Sequence, residues 1–202
     1  MSLSGGRTPR DVGNRAERTV AKYMDGQRVV GSGAYKHSNK NLLGDVDVRV
    51  NNRDYLKIEV KTTGRTHPSK GMYYTVTSAV LKQMQNEAEQ YHQLGCLWLH
   101  FKGSTPSMDF VIFPEHHGIR YFQKAGVYLV TNADSVVGKK SKILYKSELI
   151  TMFPTSDYNQ VGGVHLGMVN PDGDYARYLI VRGDDVRYAL TLIHEKEAQH
   201  AP

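Results

Sequence analysis

The chain carries a single cysteine, Cys96, so it can form neither an internal disulfide nor a zinc site built from cysteines. Long apolar runs are absent too. None reaches membrane-spanning length, and the N-terminus lacks the apolar core of a secretion signal. Intracellular residence with no membrane partner is the expectation. Several chemistries also lack their signatures. There is no G-x-x-x-x-G-K-[ST] phosphate loop, no G-x-S-x-G nucleophile elbow and no zinc-type His/Cys spacing. Internal repeats, low-complexity tracts and a clear domain linker are missing as well.

What is present is ordinary in bulk. At 202 residues, 40% hydrophobic and 23% charged, the chain is long enough for one sizeable core, or one domain with an extension. Met1 to Gly6 reads as a flexible leader. The formal charge is +6, with a pI near 9.3. That excess favours a polyanionic partner, because neutralised phosphates release counterions.

The chain is organised around Gly44-Asp45-Val46-Asp47-Val48-Arg49-Val50, a short polar turn, and Tyr55-Leu56-Lys57-Ile58-Glu59-Val60-Lys61. Both segments have the period-two pattern of strands, and Asn51-Asn52-Arg53-Asp54 between them reads as the turn. Val46, Val48 and Val50 share one face, so Asp45 and Asp47 point together to the other. Ile58 and Val60 share a face, and Glu59 and Lys61 project from its opposite. Folding the hairpin brings two or three carboxylates and one ammonium onto a common face. Like charges that close raise one another's pKa unless a cation intervenes. A divalent ion that takes oxygen ligands, Mg²⁺ with Mn²⁺ as substitute, meets that need. Asp45, Asp47 and Glu59 are the candidate ligands, with Asp47 expected to have the shorter reach to Glu59. Lys61 would sit beside the metal, to position a water or steady a phosphate. The bland alternative is an exposed hairpin face whose charges are only solvated.

An acid, a turn and a Glu-x-Lys across a hairpin resemble the PD-(D/E)xK nuclease superfamily. Here Gly44-Asp45 stands where the family name has Pro-Asp, followed by Glu59-Val60-Lys61. The resemblance covers roughly residues 8 to 115, and within the superfamily the region resembles the archaeal and phage-type Holliday junction resolvases. It implies a metal-dependent DNA endonuclease in which Asp45 and Glu59 bind metal and the Val60 carbonyl completes the site. Lys61 then orients the nucleophile or stabilises charge. It further implies branched DNA as substrate and a homodimer, since a four-way junction needs two sites on paired strands. A restriction- or repair-type nuclease on duplex DNA and a non-catalytic binding member of the fold are the rivals.

Around this hairpin the chain supplies further parts. Thr8-Pro9-Arg10-Asp11 has the form of a helix start, with the helix running to about Met24. Glu17 falls on its inward side, where a carboxylate is costly unless paired. One reading bridges it to Arg18 or Arg28; the other, from the resolvase resemblance, makes it a support of the metal site. Gln27 to Val30 reads as a strand. Gly31-Ser32-Gly33 is a turn whose exposed N–H groups suit a phosphate, and the resemblance places Ser32 next to the scissile bond. Lys36 and Lys40 follow as a candidate DNA-facing flap.

Thr62 to Gly71 reads as a loop and Tyr73 to Thr77 as a strand. Ser78 to Leu94 reads as a helix with Gly95 as its cap. In related nucleases a polar residue near the start of this helix approaches the site, and Gln83 is the candidate. Cys96 to Phe101 and Asp109 to Phe113 read as buried strands. His116-His117 is expected in a loop, Tyr128 to Thr131 as a short strand, Tyr145 to Phe153 as a helix and Ser156 to Gly173 as a Gly-rich loop. Arg177 to Val181 reads as a strand, followed by a helix capped by Asp184. Lys139 and Lys140, in a basic cluster reaching Lys142, are candidate contacts to the DNA backbone. The expected fold is α/β, a restriction-endonuclease-like core with a central mixed sheet flanked by helices. The core occupies residues 1–125, and residues 126–202 form a C-terminal extension of the same domain.

Overall fold

The computed structural model of the protein describes residues 8–29, 44–154 and 159–199. The expected leader and the Ser32, Lys36 and Lys40 candidates lie outside those residues. Among the described residues no helix is long and apolar enough to cross a membrane.

The chain opens with α1 (Pro9–Tyr23), started by a capping box: the Thr8 side chain accepts from the Asp11 N–H, and Asp11 answers the Thr8 N–H at 3.1 Å. The short β1 (Gln27–Arg28) leads to the hairpin of β2 (Val46–Val50) and β3 (Arg53–Thr63). Its turn is narrower than expected, only Asn51 and Asn52, both at positive φ (51° and 58°). That is the left-handed pair a two-residue hairpin needs, and asparagine tolerates it.

Next come β4 (Thr66–His67), β5 (Gly71–Thr77), α2 (Ser78–Gln90), β6 (Leu94–Phe101), β7 (Phe110–Pro114) and α3 (Glu115–Ala125). The C-terminal part contains β8 (Tyr128–Gly138), β9 (Ser141–Tyr145), α4 (Lys146–Met152), β10 (Gln160–Val169), β11 (Tyr175–Arg182) and α5 (Gly183–Gln199).

The fold is α/β, as expected. Among the described residues its central sheet has eight strands in the order β1-β2-β3-β6-β7-β11-β10-β8. It is mixed: β3 runs parallel to β6 and β10 parallel to β8, while the other neighbours are antiparallel. A second sheet, β4-β5-β9, covers part of one face. Helices lie on both faces of the main sheet. On one, α1, α3 and α5 pack Val20, Phe122 and Leu190 against Val48, Ile58 and Trp98. On the other, α2, β5, β9 and α4 pack Leu81, Val76, Leu144 and Leu149 against Leu97, Leu99 and Ile112. Residues 128–182 supply three strands of the main sheet, through β11 beside β7.

Several expectations are corrected here. Within the stretch Ser156 to Gly173, expected as a Gly-rich loop, Gln160–Val169 forms β10, buried along nearly its whole length. Its glycines answer close approach rather than a turn: a Cβ on Gly167 would lie 1.8 Å from the Tyr175 hydroxyl. Gly95 does not cap α2. The helix ends at Gln90 with Tyr91 as its cap, and Gly95 lies in β6, where a Cβ would meet Ala88 Cβ at 2.7 Å. His116 and His117 are in the first turn of α3, not a loop.

Thr62 to Gly71 is not all loop, because β3 continues to Thr63 and β4 pairs with β5. Tyr145 ends β9 rather than opening a helix, since Tyr145 pairs with Tyr73 across the small sheet. The strand at Tyr128 runs on to Gly138 because it forms the edge of the main sheet beside β10.

Candidate functional site

β3 is divided by its alternation. Leu56, Ile58 and Val60 enter the core shared with α1, α3 and α5. Lys57, Glu59 and Lys61 therefore project from the other face, beside α2. The register decides which acid joins them. Val46 stands opposite Ile58, and the Asp45 N–H donates to the Ile58 carbonyl at 2.9 Å, so Asp45 lies across from Glu59. The Asp45 carboxylate, 8% exposed, accepts the Val60 N–H at 2.8 Å.

The expectation that Asp47 has the shorter reach is corrected. Asp47 stands opposite Lys57 and forms a buried ion pair with its ammonium at 3.1 Å. Breaking such a pair strands a buried charge, so Lys57 and Asp47 hold each other in place. Gly44, at φ +73°, makes the entry to β2 possible; a Cβ there would press on the Lys57 side chain at 2.7 Å.

The Lys61 ammonium bonds the Glu59 carboxylate. Burial pulls the Lys61 pKa down, but Glu59, with its charge and its hydrogen bond, and then Asp45 and Tyr74 hold it above the ordinary lysine value. Lys61 is thus a cation held in a pocket of negative potential. Opposite it, α2 closes a cavity of about 110 Å³ lined by Glu59, Lys61, Val80, Gln83, Met84 and Glu87. Gln83 is in the cavity wall and donates to Glu87 at 2.7 Å.

Two members escaped the sequence reading. Glu87 is a second carboxylate in the cavity wall beside Glu59, legible afterwards as the i+4 partner of Gln83 on one helix face. Tyr74 of β5 feels both Glu59 and Lys61, and burial raises its pKa. Its signal was alternation along β5, which sends Tyr74 inward with Met72 and Val76.

The remaining candidates sit as follows. Glu17 bonds Arg28 Nε at 2.5 Å, and Arg28 also bonds Asn14, so the pairing with Arg28 is present. Lys139 and Lys140 form an exposed turn between β8 and β9, and the Lys140 carbonyl accepts the Ser78 N–H at 3.0 Å. The turn is thereby tied to the start of the helix that lines the cavity.

No family model, curated protein or solved structure matches this chain. The site has to be judged on its own chemistry.

The oxygen donors that a divalent cation would use here are the carboxylates of Asp45 and Glu59 on facing strands, whose charge also acts on the Lys61 ammonium; Glu87 stands on α2 across the cavity. A different trio, Glu89, His116 and His117, has its ligand atoms within 4.8 Å of one another, the one such set among the described residues. Its hydrogen bonding opposes a metal. His117 Nδ1 accepts the Gly95 N–H at 3.1 Å, which places the ring proton on Nε2, the atom facing Glu89 at 3.6 Å. A protonated Nε2 has no lone pair for an ion.

His117 has a consequence for stability instead. Burial, then His116, depresses its pKa to about 4, so the folded protein keeps it neutral. Below pH 6.5 the unfolded chain takes a proton that the folded one refuses. Stability is therefore full above pH 6.5 and lost as pH falls toward 4, by about 1 kcal/mol per pH unit. Urea titrations of wild type and His117→Gln at pH 7 and pH 5 test this: the acid loss should shrink in the variant, and an equal loss in both contradicts it.

Proposed function

We propose that the protein is a metal-dependent DNA endonuclease that hydrolyses phosphodiester bonds inside the cell. One observation carries the reading: the strand register sets Asp45 against Glu59, with Lys61 on the same face. A purely structural hairpin gains nothing from clustering these charges beside a cavity, since each ionised group taken from water costs free energy. The mixed sheet flanked by helices supports the reading, being the architecture implied by the resemblance to the PD-(D/E)xK nucleases.

Asp45 and Glu59, with the Val60 carbonyl, would hold Mg²⁺ or Mn²⁺, which when bound supplies Lewis-acid polarisation of the phosphoryl oxygen and a more acidic water. The chain's own groups do the rest. Lys61 places a positive charge where negative charge grows on the phosphate. Gln83 and Glu87, on the facing helix, offer an amide and a carboxylate to orient the nucleophilic water. Asp47 serves by holding Lys57, and Glu17 by holding Arg28, next to the chain that bonds the Asp45 carbonyl through Val29. Lys139 and Lys140 would meet the DNA backbone. A branched substrate cut on paired strands would require two copies of the site, and we extend the proposal to a homodimer in that case.

The test is incubation of the protein with Mg²⁺ and matched four-way, flap and linear DNA, with the cut positions mapped. Cleavage that chelation stops is expected. Binding should also weaken steeply between 50 and 200 mM salt, by about 10³ for six or more phosphate contacts. No cleavage of any DNA in Mg²⁺ or Mn²⁺ would refute the reading, and a flat salt response would refute backbone contact.

A further inference from the structure

The small sheet β4-β5-β9 has two unlike faces. Met72, Tyr74, Val76 and Leu144 point into the core, where Tyr74 feels the charges of Glu59 and Lys61. Alternation sends Tyr73 and Tyr145 to the opposite face, where they are direct cross-strand partners with ring centroids 5.6 Å apart. His67 of β4 adds a third ring, edge-on to Tyr145 at 5.8 Å. Both tyrosines are partly exposed and His67 is exposed.

This cluster has a basic rim. Lys70 stands over the Tyr145 ring at 4.7 Å, and Arg65, whose carbonyl accepts the Tyr73 N–H, is exposed. Against these two cations stands Glu148, paired with Lys70 at 2.8 Å. Arg65 links this face to the cavity side of the small sheet: it lies four residues beyond Lys61, no more than about 14 Å along the chain, and its charge acts on Tyr74.

Aromatic faces with lysines and arginines beside them bind bases and phosphates together, and a base is open to such stacking only where it is not already stacked in a duplex. We infer that the Tyr73–Tyr145–His67 face is a docking surface for single-stranded DNA, which brings an unpaired flank of the substrate to the carboxylate cavity. The inference rests on the nuclease reading for the role of the cavity, but binding at this face does not depend on cleavage.

The experiment therefore measures binding in chelator, where nothing is cut. Fluorescence anisotropy with labelled oligothymidylate and a blunt duplex of equal length is expected to show that a Tyr73→Leu, Tyr145→Leu double variant binds the single strand about tenfold more weakly. Duplex affinity should stay unchanged. The Tyr73→Phe, Tyr145→Phe pair, which keeps both rings, should bind like wild type. In unaltered protein, photocrosslinking to a bromodeoxyuridine oligonucleotide should label the peptides containing Tyr73 or Tyr145, which holds even if the leucine variant fails to fold. Crosslinks found only elsewhere, or equal losses for single strand and duplex in a folded leucine variant, would overturn the assignment. Tighter binding of an oligoribonucleotide of matched sequence would overturn DNA as the ligand. Single-strand binding that persists when no DNA is ever cut would leave this surface standing and remove the nuclease reading.

Discussion

Glu59→Gln abolishes phosphodiester cleavage and leaves the fold and DNA binding in place: that is the largest effect expected of any substitution in this protein. Glutamine keeps the shape of the side chain but removes the negative charge, and a neutral amide oxygen is a much weaker ligand for Mg²⁺. Glu59 is only partly buried and projects from the face opposite the core-packed Ile58 and Val60. Its change should therefore cost little stability. The Lys61 ammonium would lose the partner that now holds it and the main influence raising its pKa. A rate loss of about 10³ or more is expected, with transition-state charge stabilisation alone worth about 10²–10³. Single-turnover cleavage gives the rate, a thermal melt reports the fold, and anisotropy in chelator reports binding. Wild-type turnover by the variant would remove Glu59 from the site.

Lys61→Ala separates catalysis from metal binding. A protonated lysine has no lone pair, so Lys61 cannot be a ligand of the ion. Its ammonium is bonded to Glu59 and competes with a cation for the same carboxylate charge. Removing it should leave divalent binding at least as tight as in wild type, while cleavage falls by about 10²–10³. Calorimetry of Mn²⁺ binding beside single-turnover cleavage makes both measurements. Normal cutting by the variant would reduce Lys61 to a structural ion-pair partner of Glu59. Lost metal binding together with lost cleavage would show instead that Lys61 organises the ligands.

Some of this was legible in the sequence for a simple reason. The β2–β3 hairpin obeys local rules: alternation puts three valines on one side and two aspartates on the other, and Asn-Asn supplies the left-handed pair the turn requires. The α1 capping box is equally local, being completed within four residues. Glycine was the misleading signal. Gly95 and Gly167 were read through turn and cap preferences, yet each is there because another side chain, Ala88 or Tyr175, occupies the space of its missing Cβ. Nothing within a few residues of either glycine reveals that neighbour.

The sequence by itself determined the hairpin, its two-faced charge pattern, the α/β class and the acids and lysine available for chemistry. Only the tertiary structure decided which of them meet. Register, set by hydrogen bonds between strands, paired Asp45 with Glu59 and gave Asp47 to Lys57. Packing of α2 against the sheet brought Gln83 and Glu87 to the cavity, and pairing of β5 with β9, some seventy residues apart, put Tyr73 beside Tyr145. Local preference acts over a few residues, whereas a site is assembled by contacts between elements whose separation along the chain carries no periodic signal.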